Sequence, residues 1–304
     1  MPTSDVAAMC GISTREAIKR TGVITRHWIH EDDDPLTYGL LAARRAIEAA
    51  QLEPKDIDVV LNTSGTQLQA IPDGGAIIAA GLKLKEVSSY SLHATCLSFL
   101  FGLQEAAFLI STGRAKNVLI VSTEGGSRGL DFRQPESALL MGDAAAAAVI
   151  GPAVDDGQGI VASSFKTQTS GVKDAEIRGG GTRIRSEQTS ERLQDFKFDM
   201  RGLRLLAGAL RNFPPFLESI QPGLSKDAPD IDRIIPHQTS KAGLDGMARL
   251  WGRERLEVTL PEVGNTIGAA IPLTLHRAKI KPGERVLLVG TGAGTHYGAI
   301  ILQC

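Results

Sequence analysis

The sequence lacks paired cysteines, metal-binding motifs, long apolar runs and a strong net charge. Its three cysteines, Cys10, Cys96 and Cys304, are far apart and odd in number. This spacing argues against a disulfide framework and is typical of a cytoplasmic protein with free thiols. Because the sequence contains neither a CxxC pair nor an HExxH motif, we expect no metal site and no permanently bound cofactor.

The remaining absences concern membranes and nucleic acids. No apolar stretch approaches the roughly 18–20 residues of a membrane-spanning helix, and the first residues do not resemble a signal peptide. The formal net charge is -1, and the basic residues are scattered. The sequence therefore predicts neither a membrane nor a nucleic acid as a partner.

Two phrases are repeated along the 304 residues, of which 42% are hydrophobic and 22% charged. The stretch "DIDVVLNTSGT" begins at Asp56 and "DIDRIIPHQTS" at Asp230, while "NVLIVSTEGGSRG" begins at Asn117 and "RVLLVGTGAGTHYG" at Arg285. Both pairs share nearly the same offset, which indicates a duplicated unit of roughly 150–170 residues. We therefore expect two similar halves, residues 1–153 and 154–304.

Continuous apolar runs such as "VLIV" and "RVLLVG" are typical of strands buried on both faces by helices. The sequence thus predicts an α/β layered core. The polar segment Val154–Gln194 is interpreted as an exposed connection between the halves. Helices are predicted at Tyr38–Ala50, Ser98–Ser111, Phe196–Phe213 and Ser240–Leu250.

Four features could carry chemistry, and each also has a purely structural explanation. Cys96 precedes a helix, whose dipole would lower the pKa of its thiol, although a lone cysteine is also a common core residue. His237 follows a strand and could donate or accept a proton or simply be buried. Asn265 could cap a turn or stabilise an oxyanion, as could the backbone of the "GTGAG" loop.

In their order along a duplicated chain, Cys96, His237 and Asn265 resemble the thiolase superfamily, and most closely β-ketoacyl-acyl-carrier-protein synthase III. The stretches that carry the resemblance are "RTGVITRHW", "ATCLSFLFGL", "MGDAAAAAVI", "IIPHQTS", "GNTIGAAIPLTL" and "KPGERVLLVGTGAG". The resemblance implies a thiolase-like, duplicated, five-layered αβαβα fold, a homodimer, and acyl carrier protein as a partner.

The same resemblance implies a reaction. Cys96 would take an acyl group from a small acyl thioester, either acyl-CoA or the phosphopantetheine of an acyl carrier protein. A malonyl thioester would then lose CO2 while His237 and Asn265 donate hydrogen bonds to its carbonyl. The backbone N–H groups of Cys96 and Ala293 would form the oxyanion hole.

The chain also departs from the family pattern. Ile71, Leu97 and Thr291 occupy positions of the acyl pocket where the family commonly has other residues, and the pocket is expected to differ in shape. Glu16 stands where relatives often stack the adenine of coenzyme A on a tryptophan, and Arg133 is the closest substitute for the family's adenine-binding arginine. Relatives usually have a strand before the first helix, but no apolar run precedes the stretch "PTSDVAAM" here, so that strand of the first half is expected to be absent or replaced.

The leading hypothesis is a decarboxylative condensing enzyme, with a tilt toward specialised metabolism because of these departures. One alternative is acyl transfer to a hydroxyl or amine without decarboxylation. Another is a non-catalytic thiolase-fold subunit of a heteromeric synthase. Asn265 favours condensation, since plain acyl transfer forms no enolate.

Overall fold

The computed structural model describes residues 1–304, apart from the side chain of Ser186. Its strands, in chain order, are β1 (Val59–Asn62), β2 (Ser88–Ser91), β3 (Val118–Glu124), β4 (Ala144–Ile150), β5 (Gly159–Thr167), β6 (Ala175–Glu176), β7 (Asp199–Met200), β8 (Arg233–Pro236), β9 (Arg285–Gly292) and β10 (His296–Gln303). Its α-helices are α1 (Thr3–Met9), α2 (Thr14–Thr21), α3 (Pro35–Ala49), α4 (Gly74–Gly81), α5 (Ser98–Ser111), α6 (Pro135–Ala138), α7 (Gly202–Glu218), α8 (Lys241–Trp251), α9 (Leu260–Val263) and α10 (Ala270–Arg277).

Two four-stranded sheets share a three-stranded arrangement, β1-β3-β4 in the first and β8-β9-β10 in the second, and differ in the side on which the fourth strand is added. The first has the order β2-β1-β3-β4, in which β1 runs parallel to β2 and β3 while β4 is antiparallel to β3. The second has the order β5-β10-β9-β8, in which β8 is parallel to β9 and β10 is antiparallel to β9 and β5. The strands that follow the two Asp-Ile-Asp phrases, β1 and β8, hold equivalent places. So do β3 and β9, which carry the second repeated phrase.

Hydrophobic contacts stack these sheets into five layers. The central cluster joins β1, β3, β8, β9 and β10 to residues of α5 and α10, which therefore lie between the sheets. A second cluster packs α3 and α4 on the outer face of the first sheet. A third packs α7 and α8 on the outer face of the second. The order is thus helix, sheet, helix, sheet, helix, with continuous apolar strands buried on both faces as their sequence predicts.

The structure confirms the helix predicted at Ser98–Ser111 and shifts the others. α3 starts earlier than predicted, because Pro35 occupies its first turn and the Asp34 side chain accepts a hydrogen bond from the Leu36 N–H. The prediction Phe196–Phe213 was wrong at both ends. Phe196 ends a short 3-10 helix, the residues just before α7 include β7, which pairs with β6, and α7 continues through two prolines to Glu218. Its buried apolar face offsets the hydrogen bonds that the prolines remove.

The prediction of an exposed connection over Val154–Gln194 was wrong for its first part. β5 lies there and pairs with β10 along most of its length. Its residues alternate between exposed and partly buried from Gly159 to Ser164, which is the period of a half-buried strand. The rest of the segment consists of short turns and β6.

Among the described residues, the first sheet has no strand at the position that β5 occupies in the second sheet. In the second sheet β10 has two neighbours, β9 and β5, whereas in the first sheet its equivalent β4 pairs only with β3. Every residue of β4 is partly exposed.

None of the helices that the structure describes could span a lipid bilayer.

Candidate active site

Cys96 lies in a sharp turn between β2 and α5. The residue before it, Thr95, has a φ of 51°, in the left-handed region that non-glycine residues rarely adopt. The turn is held by Ser98, whose Oγ accepts from the Ala94 N–H at 2.9 Å and donates to the Thr95 carbonyl at 2.7 Å. The next side chain, Leu97, is fully buried in the central core. The strained turn therefore fixes the thiol at the junction of the two halves.

The expectation that the helix dipole lowers the pKa of Cys96 is wrong for this chain. Burial of the thiol raises its pKa to about 11, and the charge of Glu124 acts in the same direction. The backbone N–H groups of Ala293 and of Cys96, together with the Thr95 side chain, act in the opposite direction because they bond to the thiol. The resting sulfur is consequently a protonated thiol at neutral pH.

His237 directly follows β8 and is 1% exposed. Its backbone N–H donates to the Val289 carbonyl of β9 at 2.8 Å, which attaches the turn to the neighbouring strand. Burial lowers the pKa of the imidazole to about 4, so the ring is neutral at pH 7. Its Nδ1 is buried without a hydrogen-bond partner. A neutral imidazole of this kind can donate one hydrogen bond without carrying charge into the site.

Asn265 is 5% exposed and lies between α9 and the short turn Ile267–Ala269. Its backbone N–H donates to the Leu140 carbonyl at 2.9 Å, and its carbonyl accepts from the Gly142 N–H at 3.0 Å. Its side-chain Oδ1 accepts from the Ile267 N–H at 2.9 Å. Because the oxygen of the carboxamide is engaged, its NH2 group is the part left to donate to a substrate.

Close contacts bring the three segments together. A Cβ on Gly290 would lie 2.6 Å from the Cβ of His237 and 3.1 Å from Cδ2 of Leu97, so only a glycine lets both approach. A Cβ on Gly65 would lie 2.6 Å from Cγ2 of Ile267 and 3.2 Å from the carbonyl carbon of Thr95. Cys96 itself packs against the small cluster that contains Met141 and Ile267. The turn of Cys96 therefore adjoins the strand end of His237 and the turn of Asn265.

The glycine-rich loop between β9 and β10 lies over the cysteine turn. The Thr95 hydroxyl donates to the Ala293 carbonyl at 3.3 Å, and the Ala293 N–H is directed to the thiol. The two backbone groups expected to form an oxyanion hole, those of Cys96 and Ala293, thus face the same sulfur. Thr291 is partly exposed and lies in β9, one residue before the end of the strand.

The other residues singled out in the sequence lie apart from this junction or face away from it. Ile71 is 85% exposed, so within one chain its side chain lies in solvent. Leu97 fills core space beside the glycines of β9 and β10. Arg133 is on the surface, where its Nε donates to Asp131 at 3.0 Å. Roles for these side chains in acyl or coenzyme binding stay predictions.

Sequence reasoning missed two buried polar residues. Gln238 is fully buried, and its Oε1 accepts from the N–H groups of Thr259 and Leu260, both at 3.0 Å. Glu124 ends β3 and is 3% exposed. A carboxylate that interrupts an apolar strand at its end was a signal of Glu124, and the position of Gln238 beside His237 was a signal of Gln238.

The chain is similar to known proteins over its whole length. Family profiles match at residues 90–169, for 3-Oxoacyl-[acyl-carrier-protein (ACP)] synthase III, and at residues 223–304, for the C-terminal part of the same synthase. It is 30% identical to the Beta-ketoacyl-[acyl-carrier-protein] synthase III of Brucella suis, covering 100% of this chain and 94% of that protein.

Solved structures agree in fold. The β-ketoacyl-[acyl-carrier-protein] synthase III of Thermus thermophilus superposes with a TM-score of 0.88 at 28% identity, covering 100% of this chain and 95% of that one. The priming β-ketosynthase of the R1128 polyketide pathway superposes with a TM-score of 0.89 at 25% identity, covering 100% and 91%. With its thiolase-like α/β fold and a cysteine turn held between two matching halves, the chain belongs to the 3-oxoacyl-[acyl-carrier-protein] synthase III family of condensing acyltransferases.

Proposed function

We propose that this protein forms an acyl-Cys96 intermediate and condenses it with a malonyl thioester, releasing CO2. The observations that carry the proposal are two backbone donors at the cysteine and a carboxamide in the adjoining turn whose NH2 group has no partner among the described residues. The N–H groups of Cys96 and Ala293 face the sulfur, while the Asn265 carboxamide is turned by the Ile267 N–H so that its NH2 is free to donate. The reaction forms two successive oxyanions, a tetrahedral intermediate on Cys96 and an enolate. The backbone N–H groups would stabilise the first and the side-chain donors the second.

In the first half-reaction the Cys96 sulfur attacks the carbonyl of an acyl thioester. The C–S bond to Cys96 forms while the carbonyl oxygen becomes negative and is held by the N–H groups of Cys96 and Ala293. Collapse of this intermediate expels the carrier thiol and leaves the acyl group on Cys96. Because the resting thiol is protonated, its proton must move during the attack, and we propose that neutral His237 relays it from the Cys96 sulfur to the departing carrier thiolate, so that the ring is neutral again after the step.

In the second half-reaction a malonyl thioester loses CO2. The electrons of the broken C–C bond flow into the thioester carbonyl and form an enolate, whose oxygen accepts hydrogen bonds from His237 and Asn265. The enolate carbon then attacks the acyl-Cys96 carbonyl, and the Cys96 thiolate leaves. Since Nδ1 of His237 is enclosed without a partner, Nε2 is the ring nitrogen that would face the substrate.

An acyl carrier protein is the proposed partner for malonyl delivery, as the names of the relatives suggest. The acyl donor is proposed to be bound through phosphopantetheine rather than through the adenine of coenzyme A. Supporting this, Glu16 pairs with Arg20 and Arg133 pairs with Asp131, so neither side chain is free to stack a base. Similarity to a priming polyketide synthase supports a role in specialised metabolism.

A homodimer is proposed as the assembly, with Ile71 of each chain entering the site of the other. The Ile71 side chain is 85% exposed, and large apolar side chains with this exposure are often buried when two chains associate. Sedimentation equilibrium is expected to give twice the chain mass, and Ile71→Asp to shift the population toward monomers. A wild-type protein that stays monomeric at micromolar concentration would contradict the assembly.

Intact-protein mass spectrometry tests the reaction. The chain is incubated with acyl-carrier-protein thioesters, and malonyl-carrier protein is then added. An acyl adduct on Cys96 that disappears with CO2 release supports condensation. An adduct that only an alcohol or amine removes would replace it by simple acyl transfer, and no adduct from any donor would leave a non-catalytic subunit.

The pH dependence of Cys96 alkylation checks the electrostatics of the site. With the thiol pKa raised to about 11, the thiolate fraction, and hence the rate of reaction with iodoacetamide, is expected to rise about tenfold per pH unit from 7 to 10. Peptide mapping separates Cys96 from Cys10 and Cys304, and circular dichroism confirms that the chain stays folded. A plateau below pH 9 would show that the donors around the sulfur outweigh its burial.

A further inference from the structure

Glu124, at the end of β3, is a buried carboxylate that the proposed reaction does not use. Within the part of the chain that the structure describes, no lysine or arginine pairs with it. Instead its two oxygens accept four hydrogen bonds, from the Gly65 N–H at 2.6 Å, the Thr66 N–H at 2.8 Å, the Thr66 hydroxyl at 2.7 Å and the Gly268 N–H at 3.1 Å. Burial raises the pKa of this carboxyl to about 7, while the four donors act in the opposite direction and stabilise the carboxylate without a cation.

These donors belong to different parts of the molecule. Gly65 and Thr66 follow β1 in the first half, whereas Gly268 lies in the turn Ile267–Ala269 of the second half. A Cβ on Gly268 would lie 2.7 Å from Glu124 Oε1 and 2.9 Å from the Thr63 carbonyl, so the turn is pressed against the carboxylate. One side chain therefore joins the two halves beside the nucleophile.

The joined turn is the one that orients Asn265. Its first residue, Ile267, donates the N–H that holds Asn265 Oδ1, and it has a strained φ of 51°. A non-glycine residue keeps such a backbone only where its surroundings enforce it. The bond from the Gly268 N–H to Glu124 is one polar contact that holds this turn in place.

The carboxylate also reaches the cysteine side of the site. Gly65 donates its N–H to the carboxylate and packs against the backbone of Thr95. The His93 Nε2 lies 3.1 Å from the Gly65 carbonyl. The negative charge of Glu124 further favours the protonated form of Cys96.

We propose that Glu124 is a positioning residue that locks the turn Ile267–Ala269 and thereby aims the Asn265 carboxamide at the enolate oxygen. This inference rests on the proposed role of Asn265. It predicts that loss of the carboxylate affects decarboxylation far more than acylation. A residue that only supported the fold would affect both steps together.

The test is Glu124→Gln. The NH2 group of the glutamine would face one of the N–H or O–H groups that now donate to the carboxylate, so that hydrogen bond would be lost. Acyl transfer to Cys96 is expected to stay within about threefold of wild type, whereas CO2 release from malonyl-carrier protein falls at least about tenfold. Glu105→Gln is the matched control, since Glu105 is partly buried and accepts a single hydrogen bond, from the Tyr90 hydroxyl at 2.8 Å. That variant is expected to match wild type in both steps.

Two readouts do not depend on turnover. A crystal structure of Glu124→Gln is expected to show the Asn265 Oδ1 displaced from the Ile267 N–H. The alkylation profile of Cys96 is expected to move to lower pH, because a negative charge near the thiol is lost. If Glu124→Gln does not fold, Glu124→Asp serves in its place, with a smaller loss of CO2 release expected.

Equal losses of acylation and CO2 release, or no loss of either, would overturn the positioning role. So would an unchanged Asn265 in the variant structure. Failure of the proposed function is seen separately, because wild-type protein would then form no acyl-Cys96 or release no CO2.

Discussion

Cys96→Ala is expected to abolish acylation, lowering the rate of acyl-enzyme formation by at least about a thousandfold. Alanine keeps the backbone N–H groups of the turn and removes only the sulfur. The left-handed Thr95 and the bonds of Ser98 hold the turn without the thiol, so the variant is expected to fold. Intact-protein mass spectrometry after incubation with an acyl-carrier-protein thioester measures the loss.

Cys304→Ala is the matched control for this change. Cys304 is also a partly buried free cysteine whose pKa is raised by burial, but it lies at the end of the second sheet. Its replacement should leave acylation unchanged. An adduct that persists in Cys96→Ala, or one that disappears in Cys304→Ala, would show that the acyl group is carried elsewhere.

Asn265→Ala is expected to separate the two half-reactions. Acylation of Cys96 should stay within a few-fold of wild type, because its oxyanion is held by backbone groups of Cys96 and Ala293. Release of CO2 should fall about a hundredfold to a thousandfold, the usual cost of losing one oxyanion donor. His237→Ala should cause a comparable loss of CO2 release and slow acylation as well if His237 takes the thiol proton.

Labelled malonyl-carrier protein and a single-turnover assay measure the two steps separately. Asn212→Ala is a suitable control, since Asn212 is a partly buried asparagine whose Nδ2 donates to the Gly208 carbonyl at 2.9 Å, within α7. Asn265→Asp adds a further check, because a carboxylate there would oppose the enolate charge and should be no better than alanine. Equal losses of acylation and decarboxylation in Asn265→Ala would contradict the assignment.

Much of the fold follows from local patterns in the sequence. The apolar runs that become β3 and β9 are buried on both faces, and helix α5 has the predicted bounds. The repeated phrases become equivalent strands of two similar sheets. The errors arose where tertiary contacts decide. β5 is a strand because it pairs with β10, and α7 continues through two prolines because its apolar face is buried.

For the site, the motifs of the sequence indicate which residues to consider, but they do not reveal the pKa of a buried group. The resemblance to the thiolase superfamily, and not the spacing of the residues, implies that Cys96, His237 and Asn265 meet between the two halves. The sequence predicts the wrong direction for the pKa of Cys96, because a helix N-terminus is visible in the sequence and burial by distant residues is not. Glu124 escaped notice for the same reason: its donors lie about sixty positions before it and more than a hundred after it.

The one-sided pairing of β4 has a consequence for handling and assembly. Along β4, from Ala144 to Ile150, every second residue directs its backbone N–H and C=O away from β3, and alanines provide most of the side chains. No residue of β4 has a charged side chain and most have a small one, so an extended segment of another chain can pair with this edge. Such pairing leads to domain swapping or fibril formation. Aggregation of concentrated samples should therefore begin at this edge, and Ala146→Lys should slow the aggregation.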